Sequence, residues 1–180
     1  MFGRFSLLFL LTLPAPLLAQ SRGASDPAKA KAALAPFTKV VGQWEGDARV
    51  MLVPGQPPQV VRYRQEITMT NGGTILKLVG IGRSTEPGAK DSVILRASGV
   101  LSYDNTMNKL RLMAQANGSD SVEADIQVKP DTLIWGIPVQ GGRLRFTVAY
   151  GSADWHQIGQ FVLQNGNAIP AMEMRLKKVK

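Results

Sequence analysis

The 180-residue chain contains no cysteine and a single histidine. The first absence excludes disulfides, thiolate metal sites and a cysteine nucleophile. The second excludes a zinc cage of the usual kind, because one imidazole and no thiolate cannot supply the ligand set, so neither a metal nor a cofactor is expected. Long apolar runs are equally scarce. Beyond the first twenty residues no stretch has the length and hydrophobicity of a membrane-crossing helix, and no membrane span is expected. Aromatic residues make up only 7% of the chain. Lysines and arginines are scattered along it and not clustered with those aromatics, which removes the usual footprint of a nucleic-acid-binding surface.

The one apolar run present lies at the start, where "MFGR" is basic, "FSLLFLLTL" is apolar and "PAPLLA" ends in small residues before Gln20. This is the pattern of a secretory signal cleaved after residue 19. The run is short for a bilayer, and Pro14 and Pro16 disfavour its continuation as a membrane helix. Gln20 stands where a lipoprotein would carry its acylated cysteine, so no lipid anchor is expected. The mature protein is therefore expected to be soluble and periplasmic or secreted. The full chain's net charge of +8 at pH 7, which becomes +7 once Arg4 leaves with residues 1–19 (20 − 13), makes an anionic envelope component, such as lipopolysaccharide or anionic lipid, a candidate partner.

Residues 20–36 divide into a polar leader and a short helix. Asp26 offers an N-cap, Pro27 suits the first helical position, and an alanine-rich body follows, which predicts a helix from about residue 27 to 35. Pro36 is expected to end it, since the residue before proline is pushed out of the helical region.

Residues 37–180 carry the rest of the fold. From Trp44 onward the helical period gives way to a period of two, the mark of strands with one buried face. Trp44, Gly46, Ala48, Val50 and Leu52 share one face of the first strand, opposite Glu45, Asp47, Arg49 and Met51. Val61, Tyr63, Ile67 and Met69 oppose Arg62, Arg64, Glu66 and Thr68 in the second. The same alternation recurs around Leu95, Leu112, Ala124 and Phe146. Turn chemistry separates these runs: "NGG" at 71–73, "EPGAKD" at 86–91, "NGSD" at 117–120, "KPD" at 129–131, "QGG" at 140–142 and "QNGN" at 164–167. The pattern predicts an all-β fold, a closed antiparallel up-and-down barrel of eight to ten strands with one N-terminal helix. Closure removes the exposed edges that an open meander would leave. A two-sheet sandwich is the alternative.

Several segments, in order, carry a family resemblance: "VVGQWEGDA" after the helix, "GVLSYDNTMNKL" in the middle, and "ADWHQIGQF" followed by "AMEMRLKKV". Together they resemble the calycins, the superfamily of lipocalins, fatty-acid-binding proteins and nitrobindins, and more narrowly a group of calycin-like bacterial proteins of unknown function. The resemblance implies that Trp44 closes one end of the barrel and that a basic residue of the last strand, Arg175 or Lys177, lies across its ring. A cation over an aromatic face adds electrostatic attraction to packing.

A barrel of this size can hold one small ligand. With Trp44 at its end, the inward residues Tyr63, Ile67, Leu95, Leu112, Phe146 and Phe161 would accept an apolar guest. The alternative is an envelope protein whose barrel is filled by these side chains and whose outer face meets a partner. Haem is the more specific expectation that a nitrobindin-like barrel raises, through His156. Strand phase opposes it, because His156 falls opposite Trp155, Gly159 and Phe161. No enzymatic activity is expected. Ser152, Asp154 and His156 alternate along one face, but the acid stands between serine and histidine, and a triad needs histidine to touch both. Glu45 and Asp47, on the outward face of the first strand, have the setting of solvated surface carboxylates.

Overall fold

The structure, a computed structural model, describes residues 26–51 and 57–180. The expected signal over residues 1–19, the leader up to residue 25, and Leu52 lie outside the described residues.

Helix α1 (Pro27–Leu34) begins as its capping sequence dictates: the Asp26 carboxylate accepts hydrogen bonds from the N–H groups of Ala28, at 3.0 Å, and Lys29, at 3.3 Å. Pro36 does not end the helical path. The chain tightens into a 3-10 helix over Ala35–Val40, with Pro36 in its first turn, where no N–H is needed. This continuation matters more to the fold than α1 itself. It buries Phe37 and Val40, whereas α1 buries only Ala30 and Leu34 and packs against β3, β4 and the turn at Asn71–Gly73.

Ten strands follow: β1 (Gly42–Val50), β2 (Gln59–Thr70), β3 (Ile75–Ser84), β4 (Val93–Asp104), β5 (Lys109–Ala116), β6 (Val122–Lys129), β7 (Thr132–Val139), β8 (Gly142–Tyr150), β9 (Asp154–Leu163) and β10 (Ala168–Lys178). Each pairs antiparallel with the next, and β1 pairs with β10, so the sheet closes into an up-and-down barrel and not a sandwich. The turns use residues that tolerate left-handed backbone: Asn71, Asn108, Asn117 and Asp131 have φ between 49° and 55°. Inward residues of β1 and β2 follow the expected alternation, with Trp44, Ala48, Val61, Tyr63 and Ile67 all buried.

Two features shape the seam between β1 and β10. A Cβ at Gly46 would lie 2.0 Å from the Arg175 carbonyl oxygen, so the two backbones approach closely only because this position is glycine. On β10 the register against β9 shifts between Pro170 and Met172, a bulge beside a proline that has no N–H to give the ladder. By contrast, β9 pairs with β8 without interruption, which fixes the phase of its side chains.

The two ends of the barrel differ. One carries α1, its 3-10 continuation and the turns after β2, β4, β6 and β8; the other carries the longer 85–92 and 117–121 connections, with the turns at 140–141 and 164–167. The seam between β5 and β6 is the shortest in the sheet, with only Leu112 to Ala114 in register against Val122 to Ala124.

Candidate functional site: the lumen

The helical end is shut by an aromatic floor. Trp44 is fully buried, and its indole N–H donates to the Val40 carbonyl at 2.8 Å, tying β1 to the 3-10 helix. Its ring lies 6.1 Å from that of Trp155, which is 6.4 Å from Tyr150, itself 5.6 Å from Phe37. The cation over Trp44 is Lys178, whose ammonium sits 5.6 Å from the ring centre and donates to the Lys39 carbonyl at 3.1 Å. Arg175 and Lys177 were expected in this role, and the structure corrects both. Lys178 is the direct cross-strand partner of Trp44 and shares its inward phase. Arg175 and Lys177 are in the outward phase, where Arg175 bonds Glu173 and Lys177 pairs with Asp154.

Above the floor lies a cavity of about 460 Å3. Phe37, Val40, Tyr150 and Trp155 form its inner end, and it extends outward to Ser119 and Asp120 beside the short β5–β6 seam. Of the residues expected to line it, Tyr63, Leu95, Leu112 and Phe146 do. Trp44, Ile67 and Phe161 do not. Trp44 is spent in the floor, and Ile67, fully buried, stands one step beyond Gln65, the partner of Trp44, on the helical side of that floor. Phe161 is only half-buried, near the opposite end, between Leu144 and Ile169. The sequence reasoning missed Trp135, which stacks on Phe146 with ring centres 4.1 Å apart and lines the same wall.

It also missed two buried amides, Gln65 and Gln157, which line the cavity in the inward phase of β2 and β9. Tyr63 lies against Gly80, where a Cβ would fall 1.8 Å from its hydroxyl oxygen. Burial raises the Tyr63 pKa well above its ordinary value, so the phenol stays neutral. Tyr150 is shifted the same way, by burial first and then by the nearby Asp131.

His156 faces outward, its Nε2 3.2 Å from the Glu173 carboxylate, in line with the phase expected from sequence. As it is the only histidine of the chain, the lumen has no imidazole, and the residues present do not fit a haem held there through histidine. The Ser152, Asp154 and His156 series is not assembled: Asp154 pairs with Lys177 and His156 with Glu173. On β1, Glu45 accepts from Arg64 at 2.8 Å and Asp47 from Arg62 at 3.2 Å, both on the outer wall. Among the described residues no group of three or more acidic or histidine side chains converges on a metal-sized site, and no helix is long and apolar enough to cross a membrane.

No protein-family model matches the chain, and no curated protein matches its sequence. Solved structures with a similar fold include the following. Rv2717c from M. tuberculosis aligns with a TM-score of 0.61 at 12% identity, covering 82% of this chain and 98% of that one. The S-type phycobiliprotein lyase CPES from Guillardia theta aligns at 0.54 and 13% identity, covering 84% and 94%. At such identities the likeness is one of fold alone.

Proposed function

We propose that the protein is an exported, non-catalytic binding protein that carries one small apolar molecule in its lumen. The observation that supports this reading is the cavity: about 460 Å3, walled by aliphatic and aromatic side chains and shut at one end by a hydrogen-bonded floor. That volume lies in the range of small-molecule sites, roughly 300 to 1,000 Å3. A barrel serving only as a scaffold gains by filling such a space, because a void forfeits packing contacts. The phycobiliprotein lyase of Guillardia theta is a barrel of the same kind. Export rests on the N-terminal pattern of residues 1–19, and N-terminal sequencing of secreted or periplasmic protein should begin at or near Gln20.

Titration with an apolar fluorophore tests the binding reading. One equivalent should saturate the protein. Ala114→Phe, which places a ring in the lumen from a lining position, should weaken binding at least tenfold without lowering the denaturation midpoint. A fluorophore that binds the variant and the parent protein alike would overturn the reading.

A further inference from the structure

The inner end of this lumen holds hydrogen-bonding groups with nothing to bond. Gln65, Tyr150 and Trp155 are only 6, 4 and 5% exposed, and the Gln65 amide nitrogen, the Tyr150 hydroxyl and the Trp155 indole nitrogen have no partner among the described residues. All three residues line the cavity. Gln157, 8% exposed, lines it too, and its amide nitrogen meets only the Met172 sulfur, at 3.6 Å. The contrast with Trp44 is instructive, since that indole, just beneath, has its carbonyl acceptor.

Buried donors left unpaired oppose folding, whereas leucine or phenylalanine at the same positions would not. Apart from Tyr63, Gln157 and the polar residues Ser98, Gln115, Ser119 and Asp120, the rest of the wall is built of such apolar residues. A set of donors kept at one end of a mainly apolar cavity therefore looks outward for acceptors. An indole N–H can only donate, and a phenol and an amide NH2 both can, so the set suits an oxygen with free lone pairs.

Charge narrows the class further. Among the described lining residues the only charged side chain is Asp120, far from the floor at the outer end. Neither of the two lysines near the floor lines the cavity: Lys39 pairs with Asp131 and lies 5.1 Å from the Tyr150 ring centre, and Lys178 holds the Lys39 carbonyl and covers the Trp44 ring. A carboxylate or phosphate pushed to the floor would be buried without a counter-charge, which is costly. A neutral carbonyl oxygen would satisfy the donors and bring no charge.

We infer that the lumen takes a neutral amphiphile head-first, its carbonyl-type oxygen seated on Gln65, Tyr150 and Trp155 and its hydrocarbon lying along Leu95, Leu112 and Phe146. The inference rests on the lumen-binding reading and refines it to esters, ketones and related neutral carbonyl compounds, as distinct from bare hydrocarbons and fatty-acid anions.

The test uses calorimetry at pH 7 with three probes of matched chain length: dodecane, methyl undecanoate and dodecanoate. The ester should bind about tenfold or more tighter than the alkane, the worth of one or two hydrogen bonds. Dodecanoate should bind more weakly than the ester and approach it as the pH is lowered and the acid becomes neutral. In Gln65→Leu and Gln157→Leu the preference for ester over alkane should shrink, with alkane affinity kept or improved and the denaturation midpoint unchanged or raised. Equal binding of ester and alkane, as when water already serves the donors, would overturn this inference and leave the lumen-binding reading standing. Tightest binding by dodecanoate at pH 7 would overturn the neutrality of the head. If no probe binds at all, the lumen-binding reading falls, and this one with it.

Discussion

A lysine on the last strand of a barrel faces either the lumen or solvent, and on β10 the difference is one residue. Lys178 stands opposite Trp44 and covers its ring, while Lys177 stands opposite Glu45 and reaches Asp154 on the outer wall. Lys178→Met should therefore cost about 1 to 2 kcal/mol, the scale of a partly desolvated cation–π contact, whereas Arg175→Ala and Lys177→Ala should stay within roughly 0.5 kcal/mol, as exposed pairs do. Trp44→Ala should cost about 3 to 5 kcal/mol through lost burial and the cavity left behind. Chemical denaturation of the four variants decides the order, and equal losses for Lys177 and Lys178 would refute the assignment. This detail is legible in the sequence: Met174 and Leu176 mark the inward phase of β10, and Lys178 continues it, whereas the family resemblance implies only a basic residue on the last strand. The buried glutamines were less legible, because a polar residue in an apolar phase is ordinarily discounted. Tyr63 supplies a second residue-scale prediction. Its folded-state pKa is raised, so its contribution to stability is complete below the ordinary tyrosine pKa of about 10 and is lost as the pH rises beyond it. The denaturation midpoint should fall above pH ~10 and fall less in Tyr63→Phe, with Tyr150 supplying what remains. The surface carboxylates act in the opposite direction. Glu173, lowered chiefly by its hydrogen bond from Arg175, and Glu123, lowered chiefly by that from Arg111, stabilise the fold above the ordinary carboxylate range, and that contribution fades as acid protonates them.

Strands were legible where one face is wet. On β1, β2 and β8 charged residues alternate with apolar ones, and the inward set follows directly. On β3 ("ILKLVGIGRS") and β7 ("TLIWGIPV") apolar residues occupy both faces, so alternation gives no phase and Trp135 could not be assigned to the lumen from sequence. Helical continuation through Pro36 escaped for a related reason: a proline that ends one helix also suits the first turn of another, and only the tertiary need to cover the barrel end selects between them. At the seam, the requirement is for absence of a side chain. Gly46→Ala would drive a Cβ into the Arg175 carbonyl, whereas a Cβ at Gly99 would meet nothing nearer than 3.5 Å. Gly46→Ala should accordingly lose about 1 to 3 kcal/mol, as overpacked sites do, and Gly99→Ala far less. Thermal denaturation of the pair checks this, and an unaffected Gly46→Ala would show that β1 and β10 can part without loss.

At the scale of the molecule, the sheet is continuous but unevenly sewn, and its weakest seam lies beside the outer end of the cavity. Local opening follows the thinnest hydrogen bonding, so amide exchange should be fastest along the β5–β6 border, around Gln115 to Ser121, and slowest at β2–β3, which stays in register from Val61 to Thr70. A lumen ligand should slow exchange at that border more than elsewhere. Uniform exchange around the barrel would remove it as the point of entry. The β1–β10 seam has a consequence of another kind, for the route by which the chain folds. It joins segments far apart in sequence, with Lys178 bonded to a residue 139 positions earlier. Each hairpin from β2 onward can form from near neighbours, but this union must await the ordering of all the chain between, and topologies dominated by such distant contacts fold slowly. Until it forms, β1 and β10 each present a bare row of amides and carbonyls, the template on which a second chain can pair. The step that completes the fold is thus also the step that ends its exposure to aggregation.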